Sequence, residues 1–245
     1  MSKSNSIKAI STSLLILRCF NYKTPELRTN QIVAMSGLPK TTVIRYLASL
    51  EQEGILLKNI NGYYQLGLTI HCLGQIADIK LILAAITKPY MEKLAEKTTE
   101  STELNVIFHD SRVCIQKVDS NQLLKFSPNV GEELPLYPGA SGKILLAYLS
   151  KEKIEYYYSE RLLKSEKSLD SLFCELDAIK QMGVAASNGE RIPGASSISV
   201  PLLDKNGHLL GGLSVSGATV RFTDDKVEEI INELKRVRGL IEDKL

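Results

Sequence analysis

No stretch of the chain approaches the roughly 18 consecutive apolar residues that a membrane-spanning helix needs, so no membrane association is expected. Cysteine and histidine are scarce, four and three among 245 residues. Cys19, Cys72, Cys114 and Cys174 lie 53, 42 and 60 residues apart, with no CxxC pair, and His71, His109 and His208 are equally scattered. This spacing excludes a metal comb, and isolated thiols of this kind pack as small apolar groups in a reducing cytoplasm. Neither a metal nor another cofactor is expected. The opening Met-Ser-Lys-Ser-Asn-Ser runs straight into an amphipathic helix with polar residues, unlike a secretory signal. Catalytic motifs are missing as well: there is no nucleophile elbow, no H-E-x-x-H and no paired His–Asp spacing. Ser150-Lys151-Glu152-Lys153 fits S-x-x-K but lacks the companion motifs, so no enzymatic activity is expected.

What is present begins with charge. The whole chain carries a formal +2, yet residues 1–67 hold eight Lys/Arg against three Asp/Glu, leaving residues 68–245 at −3. A basic head on a mildly acidic body suits attraction to phosphate, which depends on local charge. Within the head, Gly37-Leu38-Pro39-Lys40-Thr41-Thr42-Val43-Ile44-Arg45-Tyr46-Leu47 reads as a turn feeding a helix, with Pro39 at its first position. Val43, Leu47 and Leu50 form one inward stripe, while Thr41, Thr42 and Arg45 lie off it. A preceding helix starts at a capping Thr29, turns Ile32 and Met35 inward and ends at Gly37. Together these give a helix-turn-helix. Asn61-Gly62 between two short apolar runs is a strong hairpin signal and adds a wing. An earlier helix, about Ile7 to Phe20, is expected to supply Ile10, Leu14, Leu17 and Phe20 to the same core. Thr41, Thr42 and Arg45 are the candidates for base edges or adjacent phosphates, Lys40 and Lys58 for phosphates, and Asn59 or Asn61 for backbone or minor groove. A solvated polar face on a structural helix has the same pattern.

Residues 68–86 read as an apolar linking helix, followed by a helix that begins at Pro89. An apolar connector needs a partner, and self-association is an economical one, because dimeric readers engage two half-sites. Residues 87–245 alternate elements without repeats. Expected strands are Glu103–His109, Val113–Val118, Leu123–Phe126, Val184–Ala186, Ser196–Leu203 and Leu209–Ser216. Expected helices are Ser141–Leu149, Lys151 to about Lys164, Leu169–Met182 and Thr223–Asp243. Strand meanders with helices on one face indicate an α+β sensor-like domain.

Two clusters in that domain are candidate ligand sites. Pro138-Gly139-Ala140-Ser141-Gly142-Lys143 opens a helix with Ser141 as its N-cap, a seat suited to a carboxylate or phosphate. Tight packing through glycine explains the same residues. It is not a Walker loop, because Tyr137 and Ile144 replace the required glycine and Ser/Thr. In Leu213-Ser214-Val215-Ser216-Gly217 the two hydroxyls share a strand face, and Ser196, Ser197 and Ser199 extend the cluster.

The segments just quoted, with Glu53-Gly54-Ile55-Leu56, Tyr64-Gln65-Leu66-Gly67, Leu134-Pro135-Leu136-Tyr137, Val200-Pro201-Leu202-Leu203-Asp204 and Arg221-Phe222, resemble the IclR family of bacterial transcriptional regulators over nearly the full chain. The resemblance implies an N-terminal winged helix-turn-helix that binds double-stranded operator DNA (1–67), a linker or dimerisation helix (68–86) and a C-terminal GAF-like effector-binding domain (87–245). It further implies a homodimer or homotetramer, a small organic acid as effector, and a regulator, here expected to repress. By position, the effector pocket would involve Gly139, Ala140, Ser141, Ser197, Ser214 and Ser216. Many relatives carry a cysteine where Ser197 stands, and an acidic run where this chain has Ser187-Asn188-Gly189-Glu190. The competing reading is a ligand-binding or enzymatic sensor whose winged helix contacts protein.

Overall fold

The computed structural model describes residues 7–21, 24–76, 79–162 and 167–245, and the chain forms two compact units, Met1–Ile79 and Lys80–Leu245. Residues 77–78 of the expected linking helix and 163–164 of the expected helix after Lys151 lie outside the described residues.

The first unit contains α1 (Lys8–Leu17), α2 (Thr29–Ser36), α3 (Lys40–Gln52), a hairpin of β1 (Leu56–Lys58) and β2 (Tyr64–Leu66), and α4 (Leu68–Ile76). Its core gathers Ile16, Phe20, Leu27, Ile32, Val43, Leu47, Leu56 and Tyr64. The apolar stripe of α3 is buried as its spacing requires. Gly37 closes α2 in the left-handed conformation at φ 66°, with its N–H donating to the Val33 carbonyl.

Three local expectations are corrected here. Ile10 and Leu14 stay 57% and 48% exposed, because α1 reaches the core only at its end, through Ile16 and Leu17, with Cys19 and Phe20 joining from the turn that follows. Met35 is exposed at the end of α2. Thr29 is the first helical residue rather than the cap. The N-terminus is closed from Gln31, whose Oε1 accepts the Arg28 N–H at 2.8 Å.

The second unit comprises α5 (Ile79–Thr98), β3 (Ser101–Phe108), β4 (Ser111–Val118), β5 (Glu133–Pro135), α6 (Ala140–Leu146), α7 (Lys151–Tyr157), α8 (Leu169–Met182), β6 (Ala185–Asn188), β7 (Ala195–Leu203), β8 (Leu209–Ala218) and α9 (Asp224–Glu242). A π-helical turn, Tyr158–Leu162, follows α7, and a 3₁₀ turn, Thr219–Arg221, follows β8. The strands form one antiparallel sheet in the order β5-β4-β3-β8-β7-β6.

Helices cover both faces of this sheet, not one. Leu104, Ile198, Val200, Leu202, Leu213 and Val215 pack against Met91 and Leu94 of α5 and Ile230, Leu234 and Val237 of α9. On the opposite face, Ile144 and Leu145 of α6 and Leu172 and Leu176 of α8 form a second core with Ala185. The period-2 alternation therefore separates two buried surfaces, one apolar and one partly polar.

α5 runs through Pro89 instead of starting there. Buried Leu83 before the proline and Met91 and Leu94 after it face the same core, so burial outweighs the missing hydrogen bond. Leu123–Phe126 is not a strand. The edge of β4 is taken by β5, with Arg112 opposite Leu134, and Leu123 and Leu124 point to solvent.

Candidate nucleic-acid interface and effector cavity

In the first unit Lys40, Thr41 and Arg45 are exposed on α3 and Thr42 is half-buried, on the side away from Val43 and Leu47. The Arg45 guanidinium lies 5.7 Å from the Tyr46 ring centroid, and the exposed Lys58 ammonium 5.2 Å from that of Tyr64. Both charges remain at the surface, each over an aromatic ring. The side chain of Asn59 folds back on its own turn. Its Oδ1 accepts the backbone N–H groups of Asn61 and Tyr63, each at 3.0 Å, and so shapes the wing. That corrects its expected role as a reaching side chain. Asn61 is exposed at the tip. Arg28 was visible in the sequence only as part of the charge count. It is exposed, and its guanidinium lies 4.5 Å from the Tyr63 ring, joining the basic face beside the wing.

The second unit places polar groups inside. Register aligns Ser101, Ser216, Ser197 and Ser187 across β3, β8, β7 and β6, and Glu103, Ser214 and Ser199 in the adjoining row. A small cavity, partly open to solvent, lies over these rows. Its wall includes Glu103, Arg112, Phe126, Gly139, Ser141, Arg191, Ser197 and Ser216. Ser187, Ile192, Ala195 and Ser196 complete it.

Of the residues expected at a ligand, Gly139, Ser141, Ser197 and Ser216 line the cavity, and Ala140 and Ser214 do not. Ala140 is buried inside α6, while the Ser214 hydroxyl lies beneath α6, 2.8 Å from that of Ser199. Gly212 lets α6 sit close to the sheet, since a Cβ there would lie 2.9 Å from Ile144 Cγ2, and Gly142 lets the backbone of Leu136 pass against α6, where a Cβ would lie 2.0 Å from its carbonyl oxygen.

The expected carboxylate seat at the start of α6 is already filled by the chain. Glu190 accepts the Gly139 N–H at 3.3 Å and pairs with the buried Lys143 ammonium at 2.7 Å. Lys143 also meets Glu175, whose other oxygen binds Lys167 at 2.5 Å. The Ser141 hydroxyl, rather than capping α6, accepts from Arg112 Nη1 at 2.5 Å.

The groups that sequence reasoning missed are the charged ones. Arg112 is almost fully buried and also donates to the Pro135 carbonyl at 3.2 Å and Asn105 Oδ1 at 3.3 Å. Burial lowers its pKa to about 10, nearby Glu103 opposes that shift, and nearby Arg191 adds to it. Burial pushes the Glu103 carboxyl upward, against the hydrogen bond it shares with Ser216 and the pull of Arg112. Arg191 reaches the cavity from the loop after β6 and has no hydrogen-bond partner among the described residues. The one available signal was periodicity, since Glu103 and Asn105 share a strand face with Ile107, and Arg112 one with Cys114.

Nearby, Arg221 forms a bidentate ion pair with buried Glu100 and donates to the Leu124 carbonyl at 3.0 Å. A Cβ at position 217 would lie 2.1 Å from Glu100 Oε2, so a larger residue there has to displace the Glu100–Arg221 pair. The loop carrying Phe126 is thereby held beside the cavity.

A winged helix joined to a sheet domain with a polar internal cavity is the plan of a one-component regulator. Residues 78–239 match the family described as bacterial transcriptional regulator IclR C-terminal, and residues 9–59 match the IclR helix-turn-helix domain. The chain belongs to the IclR family of transcriptional regulators and is a DNA-binding regulator, not an enzyme. It is 30% identical over 236 residues to the HTH-type transcriptional regulator KipR of Bacillus subtilis (strain 168), covering 94% of each chain. The transcriptional repressor IclR of Escherichia coli (strain K12) is 23% identical over 234 residues, covering 91% of this chain and 84% of the repressor. An IclR homologue complexed with 4-hydroxybenzoate from Microbacterium hydrocarbonoxydans has the same fold, with a TM-score of 0.84 at 22% identity over 96% of this chain and 98% of the homologue. Among the described residues no helix is long and apolar enough to cross a membrane.

Proposed function

We propose that this regulator is a cytoplasmic repressor whose operator affinity is set by a small organic acid held in the cavity of residues 87–245. The observation that carries the reading is the cavity itself: two guanidinium groups and a row of serine hydroxyls line one partly open space. Such a wall suits a carboxylate with further oxygens. The 4-hydroxybenzoate complex of the structural relative supports a carboxylate ligand in this fold. Gly139, Ser141, Ser197 and Ser216 contact the ligand, with Arg112 behind them. Thr41, Thr42 and Arg45 read the major groove, while Lys40, Lys58 and Asn61 meet the backbone. Exposed Ile10 and Leu14 on α1 and Leu68 and Leu73 on α4 support self-association of residues 1–86 as a dimer or tetramer. Regulation then requires different ligand affinity in two arrangements of the assembly.

The test is fluorescence anisotropy with an operator duplex, across a salt series and with small carboxylic acids added singly. A steep linear fall of log affinity with log salt, together with an acid that weakens operator binding, is expected. A flat salt response overturns the DNA-reading surface. Operator affinity that no acid changes overturns the effector assignment.

A further inference from the structure

Three observations converge on the charge of the cavity wall. First, Ser216 Oγ lies 2.5 Å from Glu103 Oε1 and 2.6 Å from the Phe126 carbonyl oxygen. A hydroxyl has one proton and cannot donate to both at once. The contacts close into a consistent chain when Glu103 carries a proton and donates it to Ser216, which then donates to Phe126. Second, Arg112 directs Nε to Pro135 and Nη1 to Asn105 and Ser141, so three of its five N–H groups are held while its charge faces the cavity. Third, Arg191 lines the same cavity with its donors unassigned among the described residues.

We propose that Arg191 receives the carboxylate of the effector and that Glu103 stays protonated while it does so, so that the wall remains cationic and selects a small acid over its neutral analogues. The proposal rests on the effector reading above and adds the residues that select the ligand. An ionised Glu103 would cancel one of the two guanidinium charges and repel the incoming carboxylate. The charged and titratable groups around Glu103 are Arg112, Cys114 and its register partner Lys117 from β4, the last paired with Asp119 at 3.2 Å, and Arg191 from the loop between β6 and β7. Its neutral polar neighbours are Asn105 on its own strand and Ser216 on β8. Cys114 stays a neutral thiol, because burial first and then Glu103 push its pKa to about 12. Burial likewise raises Glu103, in the direction that keeps its proton at neutral pH. The sign of the linkage follows. Raising the pH through the elevated pKa of Glu103 ionises it, so acid binding weakens as that proton is lost, while the effector, already a carboxylate, does not titrate.

The experiment uses the full-length protein and a panel of acetate, lactate, pyruvate and 4-hydroxybenzoate, each paired with its amide. Calorimetric titration is expected to show binding of at least one acid but not of its amide. Arg191→Ala is expected to weaken that acid by about tenfold or more, the loss of one charge-assisted hydrogen bond, with circular dichroism unchanged. Glu103→Gln, a neutral donor, is expected to retain binding and flatten its pH dependence. Carbon-13 NMR of the Glu103 carboxyl in the free protein should show it protonated through the ordinary glutamate range. An ionised Glu103 at neutral pH, an unchanged pH profile in Glu103→Gln, or full binding by Arg191→Ala overturns the proposal. If that full binding is accompanied by an operator response, the effector reading stands and only this assignment falls. If no acid binds the wild-type protein, both fall.

Discussion

In the first unit the residues with chemistry are those the core leaves out, and in the second they are those it takes in. α3 buries Val43, Leu47 and Leu50 and turns Thr41 and Arg45 to solvent. The central sheet instead encloses Glu103, Arg112, Ser141 and Ser216 between strands and helix. An exposed site keeps its charges at little desolvation cost and suits a large, hydrated, polyanionic partner. A buried site must satisfy each polar group internally, and what remains unsatisfied defines what it admits.

The contrast can be broken most forcefully at the head's own core. Leu47→Ala should destabilise the first unit by about 2–5 kcal/mol. Hydrogen exchange should rise through α1–α3 and stay slow in β7 and β8; loss of protection in both would abolish the distinction. Arg45→Ala should leave melting unchanged yet weaken operator binding by about 1–3 kcal/mol. Relaxed discrimination at one base pair would mark a base contact, and uniform weakening across operator variants a phosphate contact. Lys58→Ala should weaken all duplexes alike and lower the salt slope by about one, measured by anisotropy. On the other side, Thr223→Ala removes the hydroxyl that accepts the Lys226 N–H at the start of α9, and should lower stability by about 1 kcal/mol in denaturant melts without touching DNA affinity.

The same contrast explains what could be read in advance. The recognition helix was legible because exposure and burial alternate along a single helix, and Asn61-Gly62 names its own turn. α8 and the long strands β7 and β8 were equally plain from period and caps. The cavity was half legible: Gly139, Ser141, Ser197 and Ser216 stood out as glycine and serine in apolar surroundings. Arg112 and Glu103 did not, because charged residues in a strand ordinarily face water, and only the second helical layer puts them indoors. Arg191 and Glu190 lie on a loop whose position depends on Lys143, 47 residues away in sequence from Glu190. Leu123 and Leu124 misled in the opposite direction, since alternation alone carries no information about whether a neighbouring strand is available.

Glu190 and Arg191 are adjacent, yet one is tethered to Lys143 and the other borders the cavity. Because Lys143 is shared with Glu175, and Glu175 with Lys167, the posture of Arg191 is leveraged from α8 through a relay of ion pairs. With Arg191 as the proposed effector contact, remote exchanges such as Glu175→Gln are expected to retune how firmly the regulator grips its metabolite without altering a single atom that metabolite touches.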